Sequence, residues 1–98
     1  MVRKPDQPIV DLKSLRLPAQ PKVVDVRAAF DWSPLGHEYL QVWVVLENLS
    51  PEQEDDVSWA DPIRDAVLQH LRDRGDERVP VFFFRLPSEL REGDLPPT

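Results

Sequence analysis

Between Lys22 and Leu86 the apolar residues change period twice, and that change limits the chain to few folds. From Val23 to Phe30 two sets alternate, with Val24, Val26, Ala28 and Phe30 opposed to Val23, Asp25, Arg27 and Ala29. From Tyr39 to Glu47 the alternation returns, with Leu40, Val42, Val44 and Leu46 opposed to Tyr39, Gln41, Trp43 and Val45. Period two is the mark of a strand with one buried face. Asp31-Trp32-Ser33-Pro34-Leu35-Gly36 between the runs supplies turn residues, so residues 22–47 are expected to form an antiparallel hairpin.

The period then lengthens. Ile63, Ala66, Val67, His70 and Leu71 recur at the spacing of one helical stripe, over a helix expected at about 62–74. Asp61 is placed to cap it, Pro62 suits its first position, and Gly75 suits the residue just past its end. Val79 to Leu86 then reads as a third strand, with Pro80 at its start or on an edge. The expected fold is α+β: a three-stranded antiparallel or mixed sheet covered on one face by a single helix. The order is strand, strand, helix, strand, with an extended N-terminal arm.

The 98 residues suit a single domain. Within it, 1–21 read as a Pro-rich arm partly docked through Ile9, Val10, Leu12, Leu15 and Leu17. Residues 22–87 form the folded body, and 88–98 read as a frayed tail. The acidic stretch from Glu47 to Val57 has no periodicity and is expected to be a loop.

Charge and composition narrow the functions. The net charge is −6, and six carboxylates (Glu47, Glu52, Glu54, Asp55, Asp56 and Asp61) fall in residues 47–61 with no Lys or Arg among them. An acidic chain without a dense basic stripe repels phosphate backbones, so no nucleic-acid partner is expected. Cysteine is absent, which excludes disulfides and thiolate metal sites. Met1 to Pro8 carry charges and prolines where a signal peptide needs an apolar run, and no stretch reaches the length of a membrane span. A cytoplasmic location and no membrane partner are the expectations.

The chemistry-bearing residues are few. His37 lies in the hairpin turn and His70 on the helix stripe, with no partner fixed near either by spacing. A small enzyme using His37 with nearby carboxylates is one alternative. A cation- or small-ligand-binding module built on Glu52, Glu54, Asp55 and Asp56 is another. That run lacks the spaced ligands and central glycine of a Ca²⁺ loop, and two PxxP spacings, Pro5–Pro8 and Pro18–Pro21, are as short as chance allows. The expectation is therefore no catalytic residue, no cofactor and no metal.

The second sheet face is more informative. A single sheet–helix layer buries one face, yet the other would carry Tyr39, Trp43 and Val45 with Val79, Val81 and Phe83. A face washed by solvent should be mostly polar. Either the arm covers it, or a second copy of the chain or another protein does. The leading reading is a non-catalytic protein–protein interaction module, a homodimer or paired with another protein, with Tyr39, Trp43, Val45, Val81 and Phe83 as its contact residues.

Val23 to Leu86, with the Asp31-Trp32 turn, the Val42-Trp43-Val44-Val45-Leu46 strand and the Phe82-Phe83-Phe84-Arg85 strand, resembles small uncharacterised bacterial proteins of about 100 residues. The resemblance implies an order of elements and no activity. The order is also similar to that of the cytoplasmic domains of cation-efflux transporters, whose His and Asp metal ligands have no counterpart here. Shared architecture of that kind carries little functional weight.

Overall fold

A computed structural model describes residues 12–95. Two strands, β1 (Val23–Trp32) and β2 (Glu38–Leu46), form the antiparallel hairpin. Gly36 at φ +84° lets its turn close, with the Gly36 amide donating to the Ser33 carbonyl at 2.9 Å. The third strand, β3 (Val79–Arg85), lies beside β2 and runs parallel to it. A parallel neighbour needs a crossover, and the helical segment between β2 and β3 provides it. The sheet is therefore mixed, in the order β1-β2-β3.

The crossover holds more structure than its sequence suggests. The acidic stretch expected to be a loop contains a short helix, α1 (Pro51–Asp55), and a 3₁₀ turn at Val57–Trp59. Local capping explains it. Ser50 Oγ accepts from the Gln53 amide while Gln53 Oε1 accepts from the Ser50 amide, a reciprocal capping box. Asp56 Oδ1 then accepts from the Ser58 amide at 3.0 Å and starts the 3₁₀ turn. Like charges spaced along so short a segment do not prevent a helix once both ends are held.

The long helix, α2 (Ala60–Asp73), begins two residues earlier than expected. Trp59 stands at its N-cap without a side-chain cap bond, and Asp61 lies inside the first turn rather than capping it. The preceding 3₁₀ turn leads straight into the helix, which displaces the cap. The other end follows expectation. Gly75 at φ +79° donates to the Arg72 carbonyl at 3.0 Å, and the Asp76 amide reaches the Leu71 carbonyl at 2.9 Å. These two bonds make a Schellman motif.

One layer of core joins α2 to the sheet. Ile63, Val67 and Leu71 pack on Val26, Ala28, Leu40, Val42, Val44 and Leu46, with Phe82, Phe84 and Trp59 at the margin. Leu40, Val42, Val44, Ile63 and Val67 have no exposed surface, as a central strand beneath a helix requires. On the stripe itself, Ala66 and His70 are only half-buried. A register shift between Val23 and Asp25 corrects one expectation. The bulge turns Val23 toward the core, where it packs, and leaves Val24 40% exposed. Phe30, at the far end of the same set, runs past α2 and is 41% exposed.

Of the arm, a 3₁₀ turn (Leu12–Ser14) and the segment after it are described. Leu15 and Leu17 pack against the helix-side core and Pro21 is buried. The arm residues Ile9 and Val10, the Pro5–Pro8 spacing and the last three tail residues lie outside the described residues. Within the described tail, a 3₁₀ turn (Pro87–Glu89) is held by Glu89 Oε1 accepting from the Leu86 amide at 2.7 Å.

Candidate functional site

The strand register sets out the second sheet face as a grid. Its rows across β1, β2 and β3 are Asp25–Val45–Arg85, Arg27–Trp43–Phe83, Ala29–Gln41–Val81 and Asp31–Tyr39–Val79. The face thus brings together all five contact residues expected from the sequence. Trp43 and Phe83, direct neighbours in the parallel pair, stack with ring centroids 4.6 Å apart and planes inclined by 18°. The Arg85 guanidinium lies 5.4 Å from the Trp43 centroid and 5.8 Å from that of Phe83. Such cation–π contact holds the long side chain flat on the rings. Trp43 Nε1 donates to Gln41 Oε1, and Gln41 Nε2 donates to Asp31 Oδ2, so the polar groups of three rows are tied within the face. Arg27 Nε donates to Asp25 Oδ2 at 2.8 Å.

These contacts leave a platform that is apolar and flat in its middle. Val81 and Val79 are 40% and 64% exposed, while Tyr39, Trp43 and Phe83 are half-buried. Val45, in the row of Asp25 and Arg85, differs from the other four in being only 4% exposed. In charge the grid is balanced, Arg27 and Arg85 against Asp25 and Asp31, although the whole chain carries −6.

Part of the arm is turned away from this face. Leu15 and Leu17, two of the five side chains that could have covered it, are committed to the opposite layer.

The histidines occupy separate elements. His37 is exposed in the β1–β2 turn, where its backbone pairs with Ser33, and its neighbour Glu38 is engaged with Arg78 at 3.3 Å. His70 lies in the last turn of α2, beside an open groove of about 740 Å³ that Ser14 and Arg16 share with Asp65, Gln69 and Asp73. Its Nε2 is buried and has no hydrogen-bond partner among the described residues. Of the acidic run, Asp56 is spent on its cap, and hydrogen bonds from Ser58 hold its carboxyl below the usual carboxylate range. No three His, Asp or Glu converge as metal ligands among the described residues. No helix among them is long and apolar enough to cross a membrane.

Sequence reasoning missed one charged cluster. In the α2–β3 connection Arg78 and Asp76 form a buried bidentate pair, Nε to Oδ1 at 2.9 Å and Nη2 to Oδ2 at 2.7 Å. Their side chains are 4% and 1% exposed. The Arg78 amide donates to the same carboxylate, Arg72 Nη1 donates to the Asp76 carbonyl, and Arg78 lies over the Phe30 ring at 5.6 Å. The cluster sits at the end of the sheet where β2 and β3 begin. In sheets with parallel strands, ligands gather at the opposite, carboxyl end. Spent on each other and on the backbone around them, the two charges lock a connection in place, and the pair is structural.

No family model, curated protein or solved structure matches the chain.

Proposed function

We propose that the protein is a non-catalytic interaction module whose contact surface is the second sheet face, and that a second copy of the chain is its first partner. The stacked Trp43–Phe83 pair with exposed Val81 beside it carries this reading. Large aromatic side chains presented on a flat, rigid sheet bury much area at little entropic cost, and contiguous exposed apolar surface in a water-soluble fold marks a contact. Charge favours a second copy in particular. Two chains of net charge −6 repel each other over most orientations, and the balanced grid of Arg27, Arg85, Asp25 and Asp31 offers a face where they can approach. Two sheets packed face to face, side chains interdigitated, are a common solution for such surfaces.

Tyr39, Trp43, Val81 and Phe83 are the contact residues, with Val45 in the row beside Trp43 and Phe83. Burying each large side chain contributes roughly 1.5–3 kcal/mol before association entropy is subtracted, so four of them support micromolar affinity. The cytoplasm is the proposed location, its reducing conditions suiting a chain without cysteine. Trp43→Glu tests the reading. It should weaken self-association by roughly tenfold or more while the far-ultraviolet circular dichroism stays unchanged; a Trp43→Glu variant that associates as tightly as the intact sequence would contradict it.

A further inference from the structure

The two outer strands of the sheet are not protected alike. β3 carries Pro80, which removes a backbone donor from its edge. β1, ten residues long, has neither Pro nor Lys, and its one bulge lies at its very start, between Val23 and Asp25. Among the described residues no strand lies beyond it. Its distal half also exposes two large aromatics, Phe30 at 41% and Trp32 at 59%.

We infer that β1 is a homodimer edge, pairing antiparallel with β1 of a second copy about a two-fold axis at Ala29. The side chains select that register. Centred on Ala29, Arg27 falls opposite Asp31 of the other copy, twice by symmetry. On the core-side surface Phe30 falls opposite Ala28 and Trp32 opposite Val26, large residues against small ones. Centring on Ala28 places Asp25 opposite Asp31, and centring on Arg27 places two guanidinium groups together. Centring on Phe30 sets Arg27 against Ser33 and brings the two Phe30 rings together. Centring on Val26 pairs Asp25 with Arg27 but runs into the bulge and leaves both aromatics unpaired. Opposite charges directly across two strands stabilise the pair and like charges disfavour it. The Ala29 register alone meets both conditions over Val26–Trp32, a stretch wholly past the bulge.

Edge pairing joins two three-stranded sheets into one of six and turns both second faces to the same side. It therefore goes beyond the face contact proposed above and does not compete with it.

Two experiments on the full chain test the edge. The chain has no cysteine, so Ala29→Cys introduces a single thiol at the axis, where facing Cβ atoms lie about 4.5–5.5 Å apart and close to disulfide reach. Mild oxidation should convert it to a covalent dimer. Asp31→Cys is the control, because its symmetry mate is displaced by four residues, roughly 13 Å along the strand. Charge variants give the second test. Arg27→Asp and Asp31→Arg should each weaken self-association by roughly tenfold or more, through two symmetric like-charge pairs. An equimolar mixture of the two should form a heterodimer, since every facing pair is then opposite in sign. Ala29→Cys cross-linking no faster than Asp31→Cys, or a mixture that yields no heterodimer by native mass spectrometry, would overturn the inference. Trp43→Glu separates the two contacts. Loss of association in that variant together with slow Ala29→Cys cross-linking upholds the face and rejects the edge, whereas rapid cross-linking that survives Trp43→Glu upholds the edge.

Discussion

Arg78 and Asp76, two residues apart in the chain, form a bidentate ion pair from which solvent is almost wholly excluded. The pair is anchored on three sides, by the Arg78 amide, by Glu38 of β2 and by the Phe30 ring of β1. It therefore ties the segment after α2 to the turn end of the hairpin. Asp76→Ala leaves a buried guanidinium without its bidentate partner and should cost about 3–5 kcal/mol. Replacing both residues, as Asp76→Leu with Arg78→Met, should cost much less than either single change, because the one charge then left without its partner, Glu38, still reaches water with 27% of its side chain exposed. Urea unfolding of the four chains measures the cycle, and additive losses would contradict it.

The alkaline behaviour of this pair follows from its sign. The hydrogen bonds Arg78 donates to Asp76, then the charges of Asp76 and Glu38, raise Arg78 above its ordinary value against the opposing effect of burial. A cation whose value is raised on folding contributes stability that is complete below its unfolded value and is lost as pH rises from there through its folded one. Both lie beyond the range in which the protein would be studied. Stability should show no loss attributable to Arg78 between about pH 7 and pH 10, and a titration in that range that disappears in Arg78→Met would contradict this.

Asp56 has the opposite sign. Its carboxyl is lowered by the hydrogen bonds from Ser58, so what it contributes is present above the ordinary carboxylate value and fades as pH falls through the lower folded one. Protection of the Ser58 amide, measured by nuclear magnetic resonance as its exchange relative to the intrinsic rate at each pH, should fall as pH drops below about 3.9. In Asp56→Ala that dependence should be gone.

Gly75 closes α2 at positive φ, where a side chain clashes with its own backbone. Gly75→Ala should destabilise by about 1–2 kcal/mol, read as a lower midpoint of thermal unfolding. The Schellman bonds from Gly75 and Asp76 make this position worth more than an ordinary loop glycine.

Much of this was legible in the sequence because period and burial are tied together. Leu40, Val42, Val44 and Leu46 alternate in the chain and all four are buried; Ile63, Val67 and Leu71 share a stripe and all three face the sheet. Trp43 and Phe83 could be assigned to one face, but not to one stack, because register between strands joined by a helix is not written in either strand. Val24 was misplaced for a local reason: a bulge shifts the alternation by one residue and leaves no mark in the hydrophobic pattern. The α1 capping box was readable as Ser50 followed three residues later by Gln53, and the density of acidic residues obscured it. Asp76 and Arg78 gave no signal at all. In sequence they look like any charged connection, and only the closing of α2 onto the hairpin buries them.

The central claim is that the second face is a contact surface, and the mass of the intact protein in solution tests it most directly. Sedimentation equilibrium over a concentration series should give a species heavier than the 11.4 kDa chain at tens of micromolar, shifting toward that mass on dilution. A protein that remains at the mass of one chain throughout the series would contradict the account.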